Sequence, residues 1–426
     1  MLVYITNRTL KKTPKTGVVT LSHEQILTKL RKPGNQKDAI YTGLAEGDYQ
    51  KINFYPKGKE QDLFNSISEE ELAKPWVVFL HGFHQDVSET IEKAHKLNKI
   101  HGVNVVLFSW PSRPNPIKSF DKKDIKAQLK QYLISTIGYA ARPSLVSFAA
   151  GELKKMLDDY YTNYKPARIN AEASTTDFYA ALKLINTHLR PHVKSSQMTM
   201  IVHSMGNYLL KRTIADKGAL PLIFKNIICH QADIKASDHS SWIPVLYGYV
   251  TQDLYITINK YDVVLGASSV YRLSQRILDI ERMGSSTTIR AKRNHQGYIN
   301  NTVKYIDFTD GRGIENKHEI FTCPGQGRDY KGSYDPLEID QYVVDLFTRI
   351  LAGKKDGLPN KKGNKAAGFA CMKTIPNIYK PDLIVEDPDL CQWSDEWDCL
   401  ISSLKAFVDP YRDGIDDGPD PDFDDF

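Results

Sequence analysis

Short runs of aliphatic and β-branched residues alternate with longer segments of helical periodicity between residues 76 and 310. Runs of the first kind are typical of buried strands, and apolar residues recurring every three or four positions are typical of amphipathic helices. The alternation predicts a mostly parallel sheet covered by helices. Six strands are predicted: Trp76 to Leu80, Val103 to Phe108, Met198 to His203, Ile227 to His230, Leu254 to Ile258 and Val303 to Phe308.

Two further strands are predicted before this alternation, Leu2 to Asn7 and Tyr49 to Tyr55. We expect them to form an antiparallel edge of the same sheet. A doubly wound sheet of this kind binds ligands at the carboxyl ends of its strands. The predicted fold class is therefore α/β, with the chemistry at the points where strands end.

Residues 114–170 form a connection too long for a simple loop, so the segment must hold structure of its own. We expect a helical insertion that acts as a cap or lid, and a permanently packed helical hairpin is the alternative. Its lysine-bearing side suits a transient contact with a membrane surface. The predicted helix has four apolar residues on one side and four lysines on the other: Ile125, Leu129, Leu133, Ile137, Lys122, Lys123, Lys126 and Lys130.

The C-terminal quarter of the chain changes character after a last amphipathic helix, predicted at Leu337 to Leu351. We expect one domain over residues 1–353 and a Gly/Lys/Asn-rich linker over 354–369. A small appendage over 370–408 and a disordered acidic tail over 409–426 follow. The tail lacks the spacing of a calcium-binding loop, but its acidic end with Phe426 suits docking to a protein partner.

Composition indicates a globular protein, with 41% hydrophobic residues among 426. The five cysteines are scattered and form no C-x-x-C pair, which argues against a disulfide framework or a zinc site and favours a reducing compartment. The first residues do not resemble a signal peptide, and no run of about 18 apolar residues occurs. We therefore expect a cytoplasmic protein.

The net charge of +5 is unevenly distributed, because residues 409–426 hold eight Asp and one Arg. The tail thus carries −7 and the rest of the chain about +12. The basic residues are spread along the chain without a motif that reads DNA or RNA. We therefore expect no nucleic-acid partner.

The segment MTMIVHSMGNYLLKRTIA, residues 198–215, runs from an apolar strand directly into a helical pattern through Ser204. A sharp turn between strand and helix exposes a serine hydroxyl above the sheet and aims the helix N-terminus at it. Gly206 keeps the neighbouring backbone uncrowded, whereas Val202 stands where the usual G-x-S-x-G pattern has glycine. Ser204 is the candidate nucleophile, and the alternative is a serine that only caps a helix.

A second strand, in KPWVVFLHGFHQD at residues 74–86, ends in His81, Gly82 and Phe83. Acyl transfer needs preorganised donors for the developing oxyanion, and the backbone amides of Phe83 and Met205 are the candidates. Gly82 permits the tight turn that would point them inward. A plain loop between strand and helix is the alternative, and the combination with the Ser204 motif favours an oxyanion hole.

These motifs resemble the α/β-hydrolase superfamily and, within it, a bacterial-type family of esterases and lipases. The resemblance covers roughly residues 1–330. It implies an α/β-hydrolase fold and a serine hydrolase that needs no cofactor and no metal. The segments that carry it are YITNR at 4–8, HGF at 81–83, FSWPS at 108–112, AEAS at 171–174 and HSMGN at 203–207.

This fold orders its triad as Ser, then Asp or Glu, then His. Asp262 follows the predicted strand Leu254 to Ile258, where the superfamily places its acid, and Y-D-x-x-L-x-x-S around it resembles the family. Asp233, after an earlier strand, is the alternative acid. His318 follows the last predicted strand and is the candidate base. Three other histidines are disfavoured by their positions in the chain: His230, His239 and His295.

The expected activity is hydrolysis of carboxylic esters, from small molecules or lipids, through an acyl-enzyme. Ser204 would attack, His318 would transfer the proton and Asp262 would orient His318, with His81, Gly82 and Gly206 in support. A thioesterase, amidase or acyltransferase with the same triad is one alternative. An inactive hydrolase fold that serves as an interaction module is another.

Overall fold

The computed structural model describes residues 1–30, 40–113, 163–194, 197–260, 262–274, 281–285, 303–308, 318–322 and 341–354, and the backbone of 369–371 and 378–381. The apolar and lysine residues of the predicted cap helix lie outside these ranges. The predicted acidic tail also lies outside them, as does the predicted linker except for its two end residues.

The strands follow the predicted alternation closely from β7 to β12. In chain order they are β1 (Leu2–Thr6), β2 (Arg8–Leu10), β3 (Val19–Ser22), β4 (Ile26–Leu30), β5 (Tyr41–Glu46), β6 (Lys51–Phe54), β7 (Trp76–Leu80), β8 (Asn104–Ser109), β9 (Met198–His203), β10 (Phe224–His230), β11 (Val250–Ile258), β12 (Val303–Asp307), β13 (Phe369–Cys371) and β14 (Ile378–Pro381).

The described strands form one large sheet in the order β13-β14-β12-β11-β10-β9-β7-β8-β1-β5-β6-β3, and β2 pairs separately with β4. From β14 to β1 all neighbours are parallel. The strands β5, β6 and β3 continue the sheet in antiparallel pairing, as β13 does at the other end. The mostly parallel α/β sheet that the sequence predicts is confirmed.

The predicted position of the first strand is wrong. Leu2–Thr6 is not an antiparallel edge but an inner strand, where Tyr4 pairs in parallel with Leu107 of β8 and antiparallel with Gly43 of β5. All five residues of β1 are buried, as a strand covered on both faces must be. The antiparallel edge is built from β5, β6 and β3, of which the sequence predicted only the region of β6.

Helices cover both faces of the sheet. They are α1 (Glu60–Asn65), α2 (Glu69–Leu72), α3 (Val87–His101), α4 (163–173), α5 (Thr175–Leu184, continuing as a π-helical turn over Ile185–Leu189), α6 (Gly206–Lys217), α7 (His239–Tyr247), α8 (Val263–Ser274) and α9 (Gln341–Leu351). Side chains of α5, α6 and α7 pack in one hydrophobic core, represented by Phe178, Leu209 and Leu246. Those of α3 and α9 pack in the other, represented by Leu97 and Phe347.

Helix α3 illustrates how the sequence sets these boundaries. Asp86 and Glu89 form a reciprocal capping box at its start, and Gly102 ends it in the left-handed conformation at φ 64°. Ile91, Ala94 and Leu97 recur at helical spacing and are buried against the sheet. No helix within the described ranges is long and apolar enough to cross a membrane.

The connection order creates a crevice at the centre of the sheet. From β7 the chain passes to β8 on one side, and β9 then returns to the other side of β7. Loops leaving the carboxyl ends of such strands diverge, which opens a ligand site between them. The candidate nucleophile follows β9 and the candidate oxyanion loop follows β7, so both lie at this switch point.

Candidate active site

Ser204 lies at the turn between β9 and α6 in a backbone conformation that residues other than glycine rarely adopt, with φ at 53°. Its hydroxyl is buried and has no hydrogen-bond partner among the described residues. At Gly206 a Cβ would lie 2.8 Å from the carbonyl oxygen of Leu80 and 2.9 Å from that of His81. The close approach of α6 to β7 therefore requires glycine there, while the sheet accommodates Val202 as a fully buried core residue.

The loop after β7 contacts the serine directly. A Cβ at Gly82 would lie 2.6 Å from the Cβ of Ser204, so any side chain there would overlap the candidate nucleophile. Met205 stands at the N-terminus of α6, where the first amide groups of a helix lack partners within the helix. The ring of Phe83 packs edge-on against Tyr164 of α4, 5.5 Å between centroids.

His81 anchors this loop to the end of β8. Its Nε2 accepts a hydrogen bond from the amide of Trp110 at 3.1 Å, so Nδ1 carries the proton and donates to the oxygen of Gly82 at 2.9 Å. The two rings stack at 5.4 Å, and the Trp110 indole donates to the His81 carbonyl. Burial, with nearby Arg8, lowers the pKa of His81 well below its ordinary value. His81 is therefore a neutral structural support.

Arg8 ties the first strand to the same loop. Its guanidinium donates to the carbonyl oxygens of Gln85 and Trp110 and to the hydroxyl of Ser109. The amide of Gln85 donates to the hydroxyl of Ser112. The segments YITNR, HGF and FSWPS thus meet around one loop.

His318, which is partly buried, pairs with the fully buried carboxylate of Asp262. Nδ1 of His318 lies 2.6 Å from Oδ2 of Asp262, which follows β11. The other carboxylate oxygen accepts hydrogen bonds from the amides of Val264 and Leu265, both at 3.0 Å. Burial raises the pKa of Asp262, although His318 and the two amides act against this. An ionised carboxylate in this position keeps the proton on Nδ1 of His318, so that Nε2 can accept one.

His318 is held at the end of β9, beside the residue that precedes Ser204. The imidazole of His203 lies 4.7 Å from that of His318 between ring centroids, and its Nε2 lies 3.0 Å from the carbonyl oxygen of His318. His203 itself is buried. Ser204, His318 and Asp262 thus gather at one edge of the sheet.

Asp233, the alternative acid, has a different set of partners. Its carboxylate accepts hydrogen bonds from Arg282 at 2.8 Å, Ser268 at 2.7 Å and Tyr164 at 3.0 Å. Burial alone would raise its pKa, but the Arg282 guanidinium and these hydrogen bonds hold the pKa of Asp233 below its ordinary value. No histidine in the described ranges bonds this carboxylate, and its backbone amide instead donates to the carbonyl of Ser204 at 3.2 Å.

The other histidines considered as bases lie elsewhere. His239 bonds the hydroxyl of Tyr305 at 2.5 Å, and His295 falls outside the described residues. His230 accepts a hydrogen bond from the amide of Ile320 at 3.2 Å. Within the described ranges no group of three or more His, Cys, Asp or Glu side chains is arranged to hold a metal ion.

Sequence reasoning missed several supporting residues. Arg8 and Trp110 stand inside the motifs that carry the resemblance, so those motifs contained the signal for them. Arg282, in contrast, lies in a segment without any motif, and only the fold brings it to Asp233.

One family matches most of this region. The family described as "Alpha/beta hydrolase of unknown function (DUF900)" matches residues 57–319, more than half of the 426-residue chain. The match runs from before β7 to just after His318, so it contains all three residues gathered at the sheet edge. No curated protein is significantly similar to the chain in sequence.

Proposed function

This chain belongs to the DUF900 family of α/β hydrolases, and from that premise we propose that it is a serine hydrolase of carboxylic esters or lipids. The observation that carries the proposal is the strained turn at Ser204, with φ at 53°, next to His203. The ring of His203 lies 4.7 Å from that of His318, which is hydrogen-bonded to the buried carboxylate of Asp262. Strain of this kind persists only where the surrounding structure enforces it, and it concentrates at functional sites.

In the proposed reaction Ser204 is the nucleophile and His318 the general base. The Ser204 oxygen attacks the ester carbonyl carbon while its proton passes to Nε2 of His318. The hydrogen bond from Nδ1 to Asp262 holds the imidazole in the required tautomer and stabilises the imidazolium that forms. The amides of Val264 and Leu265 fix the carboxylate itself, so the pair is oriented before substrate arrives.

The backbone amides of Phe83 and Met205 would stabilise the oxyanion of the tetrahedral intermediate. Support for this role is the contact between the Gly82 turn and Ser204, which sets the loop against the reacting atom. His81 and Arg8 anchor that loop through hydrogen bonds, and a preorganised donor is worth more than one that must reorient during the reaction.

Collapse of the intermediate expels the alcohol, which takes the proton from His318, and leaves an acyl group on Ser204. A water molecule then attacks the acyl-enzyme with His318 again as base, which releases the acid and restores the hydroxyl. The likeness of HSMGN and the neighbouring motifs to esterases and lipases supports an oxygen ester as the substrate class.

Labelling with a fluorophosphonate tests the proposal, because only an activated serine reacts rapidly with it. We expect the native chain to be labelled and to hydrolyse short p-nitrophenyl esters, and Ser204→Ala to lose both activities. Alanine keeps the Cβ and therefore the same backbone strain, so folding should survive.

The matched control is Ser241→Ala, which removes an exposed serine hydroxyl from α7. Its labelling should equal that of the native chain. Equal labelling of Ser204→Ala would contradict the proposal, and so would a native chain that is folded but inert toward both reagents.

A further inference from the structure

We propose that His203 and His230 are positioning residues that hold the backbone of the His318 segment in its catalytic place. The inference rests on the proposed function, in which His318 is the base. The two histidines end the adjacent strands β9 and β10, and each forms one hydrogen bond to the main chain of residues 318–320.

His203 acts on the residue that carries the base. Its Nε2 lies 3.0 Å from the carbonyl oxygen of His318, and because a carbonyl can only accept, Nε2 must carry the proton. The neutral ring is therefore defined as the Nε2–H tautomer. Its Nδ1 is buried and has no hydrogen-bond partner within the described ranges, so this imidazole has one polar contact there, to the His318 main chain.

His230 bonds the main chain two residues further along, at Ile320, and there it accepts a hydrogen bond where His203 donates one. The amide of Ile320 donates to Nε2 of His230 at 3.2 Å, so the proton of this ring is on Nδ1, which donates to the Thr257 hydroxyl at 3.0 Å. One histidine thus donates to the segment and the other accepts from it. The pair satisfies a carbonyl and an amide that no strand or helix of the described chain pairs.

The same short segment has further attachments. The ring of Phe321 packs edge-on against those of His203 and His230, with centroids 5.5 and 4.7 Å away. The carbonyl oxygen of Phe321 lies 2.8 Å from Nε2 of His101, at the end of α3, and Lys93 forms an ion pair with Glu319. Contacts from three separate elements, β9, β10 and α3, therefore locate a stretch that belongs to none of them.

Both positioning rings stay uncharged beside the base. Burial, together with the neighbouring His318, lowers the pKa of His203 and of His230 well below the ordinary value. Neutral rings can be placed against His318 without opposing the positive charge that it gains during turnover. Lysine or arginine in the same places would supply donors but would repel the imidazolium.

The test compares substitutions that remove or retain each hydrogen bond. His203→Phe keeps a ring but has no donor, whereas the amide nitrogen of His203→Gln can donate. His230→Phe loses the acceptor, whereas the amide of His230→Gln can accept from Ile320 and donate to Thr257. We expect each Phe variant to lower kcat about 10- to 100-fold with KM within about twofold, because small displacements of a catalytic group have costs of this size. Each Gln variant should recover most of the loss.

The matched control is His239→Phe, which likewise replaces the imidazole of a buried histidine by a phenyl ring, at a position hydrogen-bonded to Tyr305 and not to residues 318–322. It should lower the denaturation midpoint as the other Phe variants do, yet leave kcat per folded molecule unchanged. If His203→Phe and His230→Phe also kept their kcat while losing stability, the two histidines would be ordinary core residues and the proposal would be overturned.

A second measurement separates this proposal from the proposed function. In His230→Phe, the amide of Ile320 should exchange with solvent at least tenfold faster than in the native chain, and Gln should restore its protection, whether or not the protein hydrolyses esters. If Ser204 is not labelled but the amide of Ile320 is protected from exchange, only the proposed hydrolase activity is refuted. Rapid labelling together with unchanged exchange and unchanged kcat in the Phe variants would refute the positioning role alone.

Discussion

Asp233 and Asp262 are two buried carboxylates at the ends of neighbouring parallel strands, and they differ in what faces them. Asp233 meets the guanidinium of Arg282 at 2.8 Å and two hydroxyl donors. Asp262 meets the imidazole of His318 at 2.6 Å and two backbone amides. The first partner is a permanently charged guanidinium, and the second is an imidazole.

The difference appears in the pKa values of the two acids. Arg282 and its companions keep the pKa of Asp233 below the ordinary value despite burial, whereas burial raises the pKa of Asp262. Asp233 therefore forms a permanent ion pair that holds structure together. In the proposed mechanism Asp262 instead stabilises the charge that His318 gains during turnover. Similar burial and similar positions just after neighbouring strands therefore do not give the two acids the same partners.

The largest expected effect is on turnover in Asp262→Asn. The asparagine oxygen can still accept from the amides of Val264 and Leu265, but its NH₂ would face Nδ1 of His318 and move the proton to Nε2. The imidazole could then no longer accept the proton of Ser204. We expect kcat for a short ester to fall on the order of 10⁴-fold, with little change in the free energy of unfolding.

Asp233→Asn is the control for that experiment and should lower turnover by less than tenfold in correctly folded protein. If Asp233→Asn abolished turnover and Asp262→Asn did not, the roles of the two acids would be reversed.

The loss of stability, in contrast to the loss of turnover, should be larger for Asp233→Asn than for Asp262→Asn. Asp233→Asn leaves the buried Arg282 without its counter-charge, and breaking a buried pair in this way costs about 3 to 5 kcal/mol. Urea denaturation followed by fluorescence measures the loss. Asp238→Asn removes a more exposed ion pair, with Lys211 at 2.8 Å, and should cost less than about 1 kcal/mol. Similar losses in the two variants would show that Asp233 has no special structural role.

The smallest expected effect is the contribution of His101 to the loss of stability at acidic pH. It sharpens the contrast between a group that titrates and a permanently charged group such as Arg282. Burial lowers the pKa of His101 from 6.5 to about 4. Between these values the unfolded chain binds a proton that the folded chain does not, so stability falls as the pH decreases from 6.5 toward 4. The slope is about 1.4 kcal/mol per pH unit for one histidine.

Denaturation midpoints of the native chain and of His101→Gln at pH 7, 6 and 5 measure this slope. The variant should be less stable at pH 7 but lose less stability on acidification, whereas His192→Gln, at an exposed position, should follow the native chain. Parallel curves for His101→Gln and the native chain would show that His101 does not contribute to the acid sensitivity.

The sequence by itself determined the elements that depend on local pattern. The strands from β7 to β12 are mostly apolar, the turn at Ser204 is marked by HSMG, and the order of Ser204, Asp262 and His318 follows the order of strands. These features are readable because burial on both faces of a parallel strand demands apolar residues throughout. The catalytic roles of these residues, and the cap and tail, stay predictions.

Only the tertiary structure decided which distant residues meet. It placed β1 inside the sheet and paired Asp233 with Arg282. It also brought His101, His203 and His230 to the backbone of residues 318–321. No periodicity or motif encodes such contacts, because hydrogen bonds between segments 49 to 220 positions apart depend on strand order and on where each chain segment emerges from the sheet. A histidine at a strand end has the same local sequence whether it packs, supports or reacts, and its neighbours in the fold alone distinguish these roles.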